Sequence, residues 1–218
     1  MTADELWAAI DDQRLRTADL LATLSDAEWR RPSLCEGWTV RDVAAHLTLQ
    51  QLGVGDVIRF TIRHPGTLGG LNRMIREQAR VQAVMPPEAM VAEIRGMVGS
   101  RRHNVGVTPE ETLVDILVHG QDIAVPLGLV LEMSIAATVF ASSRVWSYGG
   151  RGKAKVFTHV PLGDYRFTAT DADWSAGSGP AISGPIAAIL LLLTGRPALL
   201  DRLSGDGLPA LRRRLAAA

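Results

Sequence analysis

The chain reads as a mainly α protein: an up-and-down four-helix bundle over residues 1–149, followed by a small α+β domain over residues 150–218. Three observations predict this. Apolar residues recur at helical spacing through most of the first part, and recognisable capping patterns mark helix starts within it. At Gly149-Gly150-Arg151-Gly152 the character changes, and short runs rich in β-branched and aromatic residues follow.

Thr2 with Glu5 forms a capping-box pattern, and Leu6, Ile10, Leu20, Leu21 and Leu24 recur at helical intervals, which predicts a helix over 3–24. Ser25 with Glu28 repeats the cap. Thr39 caps a helix expected over 39–63, ended by His64-Pro65-Gly66, because the residue before a proline is pushed out of the α conformation. Helices over 70–84 and 88–104 are separated by Pro86-Pro87. Thr108 with Glu111, and Pro109 at the first helical position, start a helix to about Val125, and another runs from Ser134 to about Tyr148. Four long helices with short connections suggest a bundle whose core can gather side chains from several helices. Beyond the junction, KAKVFTHV and YRFTATD flank the turn Pro161-Leu162-Gly163-Asp164 and predict a β-hairpin. Helix returns from Pro185 to about Thr194, and a further helical segment follows Pro197, with a basic tail at Arg212, Arg213 and Arg214.

Composition removes several classes of function. Lys plus Arg total 23 and Asp plus Glu total 23, so no net field favours nucleic acid or an anionic membrane as partner. A single cysteine rules out an intrachain disulfide framework and fits a reducing cytoplasm, the expected location. The start, MTADELWAAIDDQR, lacks the basic-then-apolar order of a signal peptide. The most apolar run, PIAAILLLLTG from Pro185, falls short of the roughly 20 residues a membrane span needs and is expected to be a buried helix. GSGPAISG around Gly179 lacks the GxGxxG spacing and the Lys-Ser/Thr ending of a phosphate loop, so nucleotide binding is not expected.

The candidate chemistry lies in Asp115, His119 and His46. Asp115 and His119 are four residues apart in a helical stretch and share one face, where they can converge on one metal ion or form a plain surface pair. Asp115 sits among Leu113, Val114, Ile116, Leu117 and Val118, where an unpaired carboxylate is costly to bury, so it needs a partner. His46, among Val43, Leu47 and Leu49, is either a hydrogen-bonded structural histidine or a third ligand from a second helix. Three such ligands leave a tetrahedral ion with an open position, as catalytic zinc sites require. Asp122 can accept a hydrogen bond from His119 or cap backbone groups. Cys35 reads as a packing residue or a thiol near the metal, and Trp38 as a loop anchor or a substrate wall. His64, His103 and His159 have no partnered spacing and read as structural or solvent-facing.

The run C-E-G-W-T-V-R-D-V-A-A-H-L, from Cys35 to Leu47, resembles the N-terminal signature of the mycothiol-dependent maleylpyruvate isomerase family, part of the DinB/YfiT-like four-helix metalloproteins. D-I-L-V-H-G-Q-D-I, from Asp115 to Ile123, resembles that family's second ligand segment, and TDADWSAG, TGRPALLDRL and SGDG are similar to its C-terminal part. The resemblance implies a DinB-like bundle holding a divalent ion, zinc or alternatively nickel, on His46, Asp115 and His119. It also implies mycothiol as the thiol cosubstrate and a small electrophile as substrate. Arg196 in TGRPALL best matches an arginine implicated in turnover in that family, and it can equally cap the helix end at Thr194-Gly195, where a cation meets the negative end of the helix dipole. One departure stands out: the family's acidic ligand is commonly Glu, and Asp115 is one methylene shorter.

The chemistry is physically coherent. A thiol of pKa about 8.5 is only a few per cent thiolate at neutral pH, and full ionisation yields ~30-fold more, about 2 kcal/mol. Further acceleration must come from placing the electrophile beside the sulfur. The sequence leaves isomerase and S-transferase both open, with a hydrolase using metal-activated water, or a non-catalytic metal-binding or regulatory protein, as alternatives. A monomer or a homodimer is expected.

Overall fold

Thr2 and Glu5 close a reciprocal cap, the Glu5 carboxylate accepting from the Thr2 N–H at 2.7 Å and the Thr2 hydroxyl accepting from the Glu5 N–H, and α1 runs from there over Ala3–Ala22. The computed structural model describes residues 1–64, 71–149 and 162–217, which fall into two compact units, Met1–Glu132 and Met133–Ala218.

In the first unit, α1 is followed by α2 (Asp26–Trp29), α3 (Val40–Leu47), α4 (Val54–Arg63), α5 (Leu71–Gln82), α6 (Pro87–Gly96) and α7 (Pro109–Leu127). Capping boxes at Ser25/Glu28, Thr39/Asp42 and Thr108/Glu111 start α2, α3 and α7. α1 packs against α6 and α7, and α3 packs against α5, α6 and α7. Ile10, Leu21, Val43, Leu47, Ile94, Leu113 and Leu117 are buried between them and form the core that aligns the helices.

Two expected helices differ from the sequence reading. The stretch 39–63 is two helices, because the Thr48 hydroxyl turns back onto the Ala45 carbonyl at 2.7 Å and Gly53 becomes the N-cap of α4, its N–H held by Asp56 Oδ2 at 3.0 Å. The helix expected over 88–104 stops at Gly96; Gly99 adopts φ +81°, and the Met97 carbonyl is taken by the Arg14 guanidinium at 3.2 Å.

The second unit holds α8 (Ile135–Ser147), β1 (Arg166–Ala169), β2 (Ser175–Gly177), β3 (Ala181–Gly184), α9 (Ile186–Leu193), a 3-10 helix over Pro197–Arg202 and α10 (Leu208–Ala216). The sheet order is β2-β1-β3: β1 is antiparallel to β2 and parallel to β3, with Phe167 opposite both Ala176 and Ile182. The units part ahead of the 149/150 junction expected from sequence. α8 buries Ala137, Ala141 and Val145, packs against α9, and is tied to the sheet region by Trp174 Nε1, which donates to Ser143 Oγ at 2.9 Å. Of the expected hairpin, YRFTATD contains β1, whereas KAKVFTHV lies outside the described residues, as do Pro65-Gly66 and most of the Gly149–Gly152 junction. The apolar run after Pro185 is the buried helix α9, and among the described residues no helix is long and apolar enough to cross a membrane. The architecture is the mainly helical bundle with a small α+β part that the sequence predicts.

Candidate metal centre

His46 stands in the last turn of α3, whose register is set by the Thr39 cap, and Asp115 and His119 stand one turn apart on α7. The structure brings all three together. Asp115 Oδ1 lies 3.3 Å from His46 Nε2 and 3.4 Å from His119 Nε2, and one donor atom from each residue falls within 4.8 Å of the others. Their side chains are partly exposed, at 15% for His46, 17% for His119 and 30% for Asp115, so the cluster can be reached from outside. The two imidazoles meet edge to face, with centroids 4.9 Å apart.

Two imidazole nitrogens and a carboxylate oxygen are the donor chemistry of zinc, and in a tetrahedral site with bonds of about 2.0–2.1 Å neighbouring donors are about 3.4 Å apart. The 3.3 and 3.4 Å separations from Asp115 Oδ1 to the two ring nitrogens are of that size. The electrostatics are those of a carboxylate lodged between two rings. Burial pushes the Asp115 carboxyl up, but the neighbouring His46 and His119 outweigh it and hold it well below the usual carboxylate range. Burial likewise pulls His119 down, but Asp115, followed by Cys35, holds it well above its ordinary value.

Behind His119 the network continues. Its Nδ1 lies 2.8 Å from Oδ2 of Asp122, a fully buried carboxylate on the same helix. Cys35 Sγ donates to the same oxygen at 3.0 Å and lies 3.7 Å from His119 Nδ1. Proline chemistry helps to seat the cysteine loop. Pro126 has no N–H to offer the carbonyl four residues earlier, that of Asp122, and the Leu34 N–H fills that acceptor at 3.1 Å. Gly37, at φ +74°, allows the turn that returns the Trp38 N–H to the Cys35 carbonyl at 3.0 Å. Trp38 is thereby laid edge-on to His46, with centroids 5.6 Å apart, and is almost fully buried, the loop-anchor geometry.

Two neighbours of the trio carry no motif that singles them out in the sequence. Gln50 Nε2 donates to Asp115 Oδ2 at 2.7 Å, and Arg14 Nε donates to Gln50 Oε1 at 3.3 Å. Gln50 is 4% exposed and Arg14 is wholly buried, with its Nη1 on Asp11 Oδ1 and the Met97 carbonyl. Burial draws the Arg14 guanidinium pKa down, and Asp11 opposes that. The available signal for Gln50 was its place four residues after His46; for Arg14 there was none, since an arginine in an amphipathic helix ordinarily reads as a solvated charge.

Arg196 lies in the second unit, where its Nη1 donates to the Thr194 carbonyl at the end of α9, so the capping geometry weighed from the sequence is present. His64 lies tilted against Phe60 with centroids 4.5 Å apart, His103 stacks with Trp7, and His159 lies outside the described residues.

Residues 10–115 match the family model described as the mycothiol maleylpyruvate isomerase N-terminal domain. That span includes His46 and ends on Asp115. Among solved structures, the chain is similar to a crystal structure of the mycothiol-dependent maleylpyruvate isomerase, with a TM-score of 0.62 and 14% identity over 94% of this chain and 93% of that one. It is also similar to a histidine-to-alanine mutant of that enzyme, with a TM-score of 0.61 and 13% identity over the same shares. At such identities the likeness concerns the fold. No curated protein sequence matches significantly.

Proposed function

Residues 10–115 belong to the mycothiol maleylpyruvate isomerase N-terminal domain family, and from that premise we propose that the chain is a thiol-dependent isomerase whose centre is His46, Asp115 and His119. The observation that carries the reading is the convergence of three zinc-type donors from two helices within 4.8 Å, with a buried carboxylate set behind one of the imidazoles. The thiol is a low-molecular-mass cosubstrate, mycothiol by family, and the substrate is a small electrophile.

A divalent ion on these three side chains, zinc first and nickel second, would supply ionisation of the thiol at neutral pH. The residues do the rest. Asp122 holds His119 through Nδ1 and leaves Nε2 toward Asp115, while Asp115 turns a single oxygen to both rings. Trp38 covers the flank of His46 and excludes water there. The thiolate then adds to the electron-poor carbon of a cis double bond, and the electron pair moves onto the adjacent carbonyl. Rotation follows about the carbon–carbon bond that has become single; the pair returns, the C–S bond breaks, and the thiolate is regenerated. Arg196, on the same family likeness, would serve turnover as the cation for a carboxylated electrophile.

The test is an assay of metal-loaded protein with mycothiol and a maleyl substrate. Isomerisation that needs the thiol without consuming it supports the reading. Consumption of thiol with epoxides or alkyl halides would reassign the chain as an S-transferase, and turnover without any thiol would make it a hydrolase. Protein that holds metal and does none of these is a non-catalytic member of the family.

A further inference from the structure

We infer that Gln50 is a positioning residue that makes Asp115 a one-oxygen donor, and that Arg14 fixes the sense in which Gln50 does so; the inference rests on the metal reading of His46, Asp115 and His119. Asp115 has two oxygens, and they have different partners. Oδ1 faces both imidazoles at 3.3 and 3.4 Å, while Oδ2 accepts from the Gln50 amide at 2.7 Å. A carboxylate oxygen that already accepts a short hydrogen bond has one lone pair engaged and its orientation fixed, so the other oxygen is the favoured donor to an ion.

A glutamine amide is ambiguous by itself, since one end donates and the other accepts. Arg14 removes the ambiguity. A guanidinium has donors and no acceptor, so the amide end facing Arg14 Nε at 3.3 Å must be the carbonyl, and the end facing Asp115 must be the NH2. Arg14 is itself immobilised by the Met97 carbonyl at 3.2 Å and by Asp11 at 3.3 Å, in a wholly buried position. A directional chain therefore runs from α1, through the turn after α3, to α7.

The arrangement has a use that a structural hydrogen bond would not require. Asp115 carries a short side chain, and swinging about its Cα–Cβ bond would shift its oxygens relative to the rings. With Oδ2 pinned, Oδ1 stays equidistant from the two nitrogens, and the remaining positions around an ion are left for a cosubstrate.

The experiment uses the full chain with Co(II) alone, followed by its visible absorption, whose intensity reports coordination number, and by chelator competition for affinity. Gln50→Met keeps the length of the side chain and removes both hydrogen bonds; Gln50→Leu is the second variant should the first unfold, and thermal unfolding in chelator verifies the fold of each. The expected result is a loss of Co(II) affinity of about ten- to a hundred-fold, with a weaker, shifted spectrum as Asp115 offers both oxygens. A folded variant with wild-type affinity and a wild-type spectrum overturns the positioning role while leaving the metal site standing. Wild-type protein that takes up no Co(II) overturns the metal reading, and this inference falls with it.

Discussion

Oδ2 of Asp122 lies 2.8 Å from Nδ1 of His119, and the carboxylate is wholly buried where the imidazole is 17% exposed. The contact fixes the ring's rotation and, with Nδ1 as the protonated nitrogen, leaves Nε2 as the donor that faces Asp115. Removing Asp122 therefore acts on a ligand without touching the ligand set. Asp122→Ala is expected to weaken zinc binding about ten- to a hundred-fold, with Asp122→Asn, which retains an acceptor, falling between it and the wild type. Competition against a chromophoric chelator measures this, and an unchanged affinity in Asp122→Ala would show that the ring is oriented by other contacts.

The ligand set has a more direct test. His46 and His119 come from different helices, so either loss removes a donor that the rest of the site cannot replace. His46→Ala and His119→Ala are each expected to abolish stoichiometric metal in protein purified with zinc present, as read by elemental analysis. Metal content equal to wild type in either variant would sink the trio.

Protons must move when the metal binds. In the metal-free protein, burial opposes both charges, yet Asp115 is held well below and His119 well above the ordinary values, so the two form an ion pair near neutral pH. The contribution of His119 is complete below its unfolded pKa of about 6.5 and disappears as pH rises through its raised value; that of Asp115 is complete above about 3.9 and disappears as pH falls through its lowered one. A metal ligand must be a neutral imidazole, so uptake near pH 6.5 expels about one proton. Calorimetry of zinc binding in buffers of different ionisation enthalpy should show that release, diminishing as pH is raised. Heats independent of the buffer would mean that His119 is already neutral.

Much of this was legible in the sequence, and the exceptions share a cause. Capping boxes at Thr2, Ser25 and Thr108 are local chemistry, and they start helices where the pattern predicts. The break after Leu47 was not visible, since a lone Gly53 costs a helix only about 1 kcal/mol and tertiary contacts, among them Gln50 with Arg14 and Asp115, decide the matter. The membership of α8 in the second unit depends on its packing against α9, which local pattern cannot reveal. At the site, the spacing of Asp115 and His119 and the family-like segments sufficed to single out the trio. Gln50 and Arg14 stayed hidden because their role arises from burial, and neither residue type is ordinarily buried.

Arg196 separates a structural from a functional reading of one side chain. Its guanidinium donates to the Thr194 carbonyl, and a cation at the C-terminal end of α9 stabilises that helix by about 0.3–1 kcal/mol. Arg196→Met removes the charge and keeps most of the stem, while Arg196→Lys keeps the charge and loses the planar fork. If the residue only caps α9, Met lowers stability by that amount and affects every substrate alike. If it serves turnover, kcat/KM for a carboxylated electrophile falls at least about tenfold, or 1.4 kcal/mol, whereas an uncharged electrophile of the same shape is scarcely affected. We expect the second pattern, with Lys recovering part of the loss. Urea unfolding alongside kinetics on the matched pair of electrophiles distinguishes the two, and a loss equal for both electrophiles would leave Arg196 as a helix cap.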